Sequence, residues 1–407
     1  VTTETLIYDW NLTLGQKFPT VEICDETLRD GLQSPSVTDP SIEDKFKLLE
    51  LMDSLGITIA NIGLPGAGPR AYSDVLALAH HARKQNLKIK LNCAARTVIK
   101  DIEPISRAQQ EAGIKIVAYC FLGTSPIRQL VENWSLDQLK ATAETAISYA
   151  VKEGLEVAFV TEDTTRSHPD TLRPLFRHAI ALGATRLVLC DTVGHATPDG
   201  ILGLVNFTKE VIRESGTKVA IDWHGHNDRG LGVSNALFAA QYGCDRIHGT
   251  ALGVGERVGN TAVDQLIVNL KLLGAYPHDL GGLMKYAQTA AKSCGVPLPY
   301  NYPVLGEDAT RTATGVHAAA VIKALNLGDR HLADTIYSGV PAHWFGKEQI
   351  IEIGPMSGAS NVRYWLAKNN ITASDEEMVA LLNFAKTKAQ VLTQEDIDNF
   401  LSSTCRT

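Results

Sequence analysis

The sequence predicts an α/β protein: a (β/α)₈ TIM barrel followed by a mostly helical C-terminal appendage. Three observations carry this. Between residues 20 and 250, short β-branched runs ending in polar residues alternate with longer segments of helical spacing. There are eight such runs, 25 to 40 residues apart, and eight is the count at which a parallel sheet closes into a barrel. Beyond about residue 276 the alternation stops and Pro and Gly punctuate the chain. An open doubly wound sheet would alternate in the same way; the count favours the barrel.

In chain order the strand-like runs are VEICDETL from Val21, ITIANIG from Ile57, LKIKLNC from Leu87 and IKIVAYCF from Ile114. LEVAFVT from Leu155, TRLVLCDT from Thr185, KVAIDWHGH from Lys218 and CDRIHGT from Cys244 complete them. The first connecting helix opens at Pro40-Ser41, with Asp44 supporting the cap. It runs through Ile42, Phe46, Leu49 and Met52, and Gly56 stops it. Trp134 to Gly154 repeats the pattern with Ser135 as cap. The expected division is a catalytic barrel at 1–275, a helical subdomain at 276–335 and a second at 336–407. Helical stretches are expected near Thr314 to Leu325 and Asp375 to Leu392, with a Gly/Pro/Ser-rich loop at Gly354 to Ser360.

Composition narrows the function classes. With 44% hydrophobic and 20% charged residues, the chain has enough apolar surface for a sizeable core. The 38 basic and 45 acidic residues leave a formal charge of −7, which argues against a nucleic-acid partner. No run of about 18 apolar residues is available to span a membrane. The start of the chain carries Glu4 and Asp9 without a secretory h-region. Seven cysteines include no CxxC pair, and five sit in or beside strand-like runs. They fit buried thiols of a reducing compartment, so a cytoplasmic enzyme is expected.

In a barrel the chemistry gathers where the strands end. Those ends carry Arg29 and Asp30, then Asn61, Asn92 and Arg96, Glu162 and Asp163, Asp191 and Thr192, His224 and His226, and finally His248. His224 and His226, two apart on one strand, share a face, and His-x-His suits a metal as well as it suits ordinary rim histidines. Barrel closure brings the seventh and eighth strands beside the first. Asp30 and the loop GTALGVGERVGNT, which contains Asn260, can therefore approach both imidazoles. One carboxylate, two imidazoles and an amide oxygen suit an open catalytic Mn²⁺, Mg²⁺ or Zn²⁺ site. Arg29, next to Asp30, is placed either to stabilise a developing oxyanion or to close a salt bridge over the rim.

DETLRDGLQ at 25–33, DTVG at 191–194, HGHNDRGLGVSNALFAA at 224–240 and HGTALGVGERVGN at 248–260 together resemble the acyl-CoA Claisen-condensing synthases. That family comprises the 2-isopropylmalate, homocitrate and citramalate synthases with their related lyases and aldolases. The resemblance implies Asp30, His224, His226 and Asn260 as ligands of a divalent metal ion, Arg29 on the keto oxygen of a 2-oxo acid and Thr192 on its carboxylate. It implies Glu162 near the acetyl group, His317 of GVHAAA as the acid/base and Tyr337 as its helper. The implied reaction joins acetyl-CoA to the 2-oxo acid and releases CoA, in a homodimer whose helical appendage reaches the partner's active site. Of the members, 2-isopropylmalate synthase, acting on 2-oxoisovalerate in leucine biosynthesis, is the expected one, with homocitrate, citramalate or citrate formation as alternatives.

Three departures qualify the resemblance. The loop GVGERVG lacks the cysteine of hydroxymethylglutaryl-CoA lyases, which favours synthesis over cleavage. The chain is expected to lack the C-terminal regulatory domain of many isopropylmalate synthases. IGLPGAGPRAY after the second strand differs from the usual wording, and it borders the oxo-acid side.

Overall fold

The computed structural model describes residues 6–12 and 17–404; Glu4 and Cys405 lie outside the described residues. Eight parallel strands close into a barrel in chain order: β1 (Glu22–Asp25), β2 (Ile59–Asn61), β3 (Lys90–Arg96), β4 (Ile116–Gly123), β5 (Val157–Glu162), β6 (Arg186–Asp191), β7 (Ala220–Gly225) and β8 (Arg246–Gly249). The seam is β1 on β8, with Glu22 opposite Arg246 and Cys24 opposite His248. All eight expected runs contribute a strand.

Local chemistry explains the helices between them. Ser41 accepts a hydrogen bond from the Asp44 N–H (3.2 Å) and starts the helix Ile42–Ser54. Ser135 and Gln138 form a reciprocal capping box at the head of Leu136–Lys152, satisfying two amides that the helix itself leaves unpaired. Gly56 ends the first of these helices at φ +81°, where a Cβ would meet the His278 ring.

Strand alternation divides the barrel interior. Inward-facing Cys24, Ile59, Val117, Tyr119, Ala158, Val188 and Cys190 pack into one apolar cluster with Val160. Each large aliphatic side chain buried this way contributes about 1.5–3 kcal/mol. On the side of β7, β8 and β1 the interior is charged. Asp222 accepts from Arg186 Nε (2.7 Å) and Tyr119 (3.1 Å), while Arg246 reaches both Tyr119 (2.7 Å) and Glu22.

The barrel unit continues to Leu298, past the expected boundary at 275. The turn-rich PHDLGG is only a loop within it. The following helix, Leu283–Cys294, buries Leu283, Tyr286, Ala287, Ala290 and Cys294, a spacing that turns one face inward. Tyr286 donates to the buried Asp25 carboxylate of β1. A second unit takes the described residues 6–12, which the sequence assigned to the barrel, together with the chain from Pro299 onward, and contains the helices Gly315–Asn326, Ala359–Lys368, Asp375–Lys386 and Gln394–Thr404. Its apolar residues form one cluster around Ala318, Val321, Ala333 and Ile351 and another around Ile353, Val362, Leu381 and Ile397. The first cluster draws on residues up to Ile351 and on Tyr364, and the second starts at Ile353. Among the described residues no helix is long and apolar enough to cross a membrane. Cys24, Cys93, Cys120, Cys190, Cys244 and Cys294 are buried free thiols.

Candidate active site

At the C-terminal mouth of the barrel the expected ligand set converges. Asp30 lies in the turn after β1 and is 3% exposed. Its Oδ2 lies 3.2 Å from His224 Nε2 and 3.5 Å from His226 Nε2, and the two imidazole nitrogens are 3.3 Å apart. The loop after β8 is zipped onto the end of β7: Thr261 N–H donates to the Gly225 carbonyl (3.0 Å) and Asn227 N–H to the Gly259 carbonyl (2.9 Å). This pairing delivers Asn260, whose Nδ2 donates to Asp30 Oδ2 (2.6 Å). Glycine is required here, because a Cβ at Gly259 would sit 1.8 Å from the Gly253 carbonyl oxygen.

The donor chemistry fits a divalent ion. Asp30, His224 and His226 bring one ligand atom each to within 4.8 Å of one another. Asn260 Oδ1 is buried with no hydrogen-bond partner, an arrangement costly to leave unpaired. Burial beside His224 pushes His226 down to about 4, so its imidazole is neutral with a lone pair to offer. Burial by itself would raise Asp30, but Arg29 and the two imidazoles hold its carboxyl well below the usual range.

Arg29 borders this set. Its Nη1 donates to Asp30 Oδ1 (3.0 Å), while Nε (3.0 Å) and Nη2 both donate to Glu26 Oε2. Of five guanidinium N–H groups, two remain for an incoming oxygen. The Thr192 hydroxyl accepts from the Asp163 N–H (2.8 Å) and keeps its own hydrogen to donate. Glu162, at the end of β5, lies 3.1 Å from Arg128 Nε; burial raises its carboxyl against the opposing pull of Arg128.

Arg29, Asp30, Glu162, Thr192, His224 and His226 line one cavity of about 370 Å³. Its two walls differ. Glu26, Arg29 and Asp30 (just after β1), Asn61 (β2), His224 (β7), His226 (just after β7) and His248 (β8) make a polar side. Ala94 (β3), Tyr119 and Phe121 (β4), Val160 (β5) and Val188 (β6) make an apolar one.

His317 and Tyr337 belong to the second unit, where their rings stack with centroids 4.1 Å apart and both side chains are exposed. Several other rim residues serve the framework. Asp191 accepts from the backbone of His195 and Ala196, Asp163 clamps Arg166, and Arg96 pairs with Asp101. Glu26 and Arg257 were not singled out by the sequence. Glu26 shares its strand face with Glu22 and Cys24, a period-two signal that the motif DETLRDG obscures. Arg257 pairs with Asp228 and donates to the Thr192 carbonyl (2.6 Å), tying three rim loops together.

Comparison with known proteins places the chain among relatives of one family. The family described as HMGL-like matches residues 20–290. The chain is 30% identical over 390 residues to the 2-isopropylmalate synthase of Pyrococcus furiosus, covering 93% of this chain and 74% of that one. It is likewise 30% identical over 362 residues to the homocitrate synthase of Pyrococcus horikoshii, covering 88% and 93%. The crystal structure of the Bacillus subtilis HMG-CoA lyase superposes with a TM-score of 0.58 at 20% identity, over 70% of this chain and 97% of that one. That likeness is one of fold.

Proposed function

The chain belongs to the HMGL-like family, and from that premise we propose that it condenses acetyl-CoA with 2-oxoisovalerate (3-methyl-2-oxobutanoate). The products are CoA and 2-isopropylmalate, in the first committed step of leucine biosynthesis. The observation that carries this reading is the convergence of Asp30, His224, His226 and Asn260 beside Arg29, opposite an apolar wall.

Asp30, His224, His226 and Asn260 would hold a divalent ion (Mn, Zn or Mg), which when bound supplies Lewis-acid polarisation of a carbonyl. The free N–H groups of Arg29 stabilise the alkoxide that develops on the keto oxygen. The Thr192 hydroxyl donates to the substrate carboxylate. Glu162, its carboxyl raised by burial, lies on the acetyl side. His317, helped by Tyr337, takes the proton from the acetyl methyl group. The carbon so exposed forms the new bond to the keto carbon, and water then cleaves the thioester. A cytoplasmic homodimer belongs to this reading, with the helical appendage and its exposed His317–Tyr337 pair serving the partner's barrel; sedimentation velocity tests it.

The apolar wall of Ala94, Phe121, Val160 and Val188 suits the isopropyl group of 2-oxoisovalerate better than the distal carboxylate of 2-oxoglutarate, whose burial unpaired is costly. The absence of a cysteine from GVGERVG supports synthesis over lyase chemistry. The test is CoA thiol release after metal repletion, with 2-oxoisovalerate, pyruvate, 2-oxoglutarate and oxaloacetate offered in turn. Release with 2-oxoisovalerate, abolished by His226→Ala, is the expected result. Silence with all four acids in metal-loaded protein would sink the synthase reading, and release with another acid would move it to the homocitrate, citramalate or citrate alternative.

A further inference from the structure

Arg29 carries the charge on which the reading above depends, yet it ends a long flexible side chain that must be held in one geometry to be useful. Its anchor is Glu26. Two guanidinium nitrogens, Nε and Nη2, converge on Glu26 Oε2, and the same oxygen accepts from Asn61 Nδ2 of β2 (2.9 Å). The other carboxylate oxygen, Oε1, lies 3.1 Å from His248 Nδ1 on β8. His248 Nε2 is 3.1 Å from Asp222 Oδ2, which Tyr119 and Arg186 anchor deeper in the barrel. Glu26 is 1% exposed and His248 2%, so a lost partner at either is costly to replace.

We propose that Glu26 is the positioning residue of Arg29, and that His248 and Asn61 orient Glu26 in turn. The inference rests on the synthase reading for the role of Arg29, but the clamp itself is a property of the structure. The clamp has two effects. It aims the free N–H groups of Arg29 into the cavity, and it gives the guanidinium a carboxylate other than Asp30. Without Glu26, Arg29 would be left with Asp30 alone and would draw on an oxygen that the metal needs. The Glu26 carboxylate touches neither the reacting atoms nor the ligand histidines in this arrangement; it acts through Arg29.

Glu26→Gln keeps the shape and removes the charge. The expected result is a fall in kcat of about 10–100-fold with a much smaller change in KM for the oxo acid, because the oxyanion contact matters most in the transition state. The same substitution placed in an Arg29→Lys background should cause no further loss, since its route of action is already gone. Glu26→Asp, which keeps the charge but shortens the reach, should fall between wild type and Glu26→Gln, and serves if the glutamine variant does not fold. An assay without turnover reads the clamp directly: modification of Arg29 by phenylglyoxal, followed by peptide mass spectrometry with exposed Arg107 as internal reference. Arg29 should react slowly in the wild type and several-fold faster in Glu26→Gln. Full activity with unchanged Arg29 reactivity in Glu26→Gln, or losses that add in the double variant, would overturn the proposal. If the wild type releases no CoA with any oxo acid, the synthase reading fails while the modification rates still decide the clamp.

Discussion

Asn260 packs its carboxamide directly against Gly255: a Cβ built there would lie 1.8 Å from Asn260 Oδ1, so alanine must displace the amide whose Nδ2 donates to Asp30. Gly255→Ala is therefore expected to weaken Mn²⁺ binding as Asn260→Ala does, by about 10–100-fold, with an unchanged far-ultraviolet spectrum. Titration calorimetry on chelator-treated protein measures both; wild-type affinity in Asn260→Ala would remove Asn260 from the proposed ligand set, and wild-type affinity in Gly255→Ala alone would show that the amide absorbs the added methyl group. The convergence of Asp30, His224 and His226 was legible in the sequence because His-x-His and LRDG are local patterns, and barrel closure supplies their meeting. Glu26 was not, because its role depends on Asn61 and His248, 35 and 222 residues away in the chain, which only the folded barrel brings to it.

At the scale of elements, the helix Leu283–Cys294 contributes one hydrogen bond of unusual weight. The Tyr286 hydroxyl donates to Asp25, which is fully buried and whose carboxyl burial pushes up to about 6 against hydrogen bonds from Thr27 and Tyr286. A carboxyl raised from 3.8 takes up its proton in the native state first. Its contribution to stability is therefore full below about pH 4 and lost as pH rises through 6. Tyr286→Phe should accordingly cost about 1.5–3 kcal/mol at pH 8, where the bond is to a charged group, and less at pH 5. Urea unfolding at the two pH values checks this, and an equal cost at both would contradict it. Strand and cap positions were readable because they follow from period-two alternation and from Ser41 and Ser135. The end of the barrel was not, since Pro277 and Gly281 mark a turn equally well inside a domain and between two.

Across the whole barrel, a chain of ion pairs runs from Arg29 at the mouth through Glu26, His248 and Asp222 to Arg246 and Glu22. Burial would raise Glu26 and Asp222, but Arg29, His248, Arg246 and Arg186 hold both down to about 2. Their contribution is thus present above the ordinary carboxyl values of 4.5 and 3.8 and lost as pH falls through about 2, opposite in sign to that of Asp25. Arg246→Met removes the arginine shared by Glu22, Asp222 and Tyr119, leaves Arg186 as the remaining arginine of both carboxylates, and should cost about 1.5–3 kcal/mol. Guanidinium unfolding at pH 7 measures the loss, and a cost below about 1 kcal/mol would show that water or rearrangement replaces the arginine. The two unlike walls of the mouth have a consequence for how such an enzyme changes its diet. Under the proposed condensation, substitutions at Ala94, Phe121, Val160 or Val188 would change the room offered to the substrate side chain while sparing the charged groups at the ends of β7, β8 and β1, with Glu162 and Thr192 as the reacting-side groups that border the same wall.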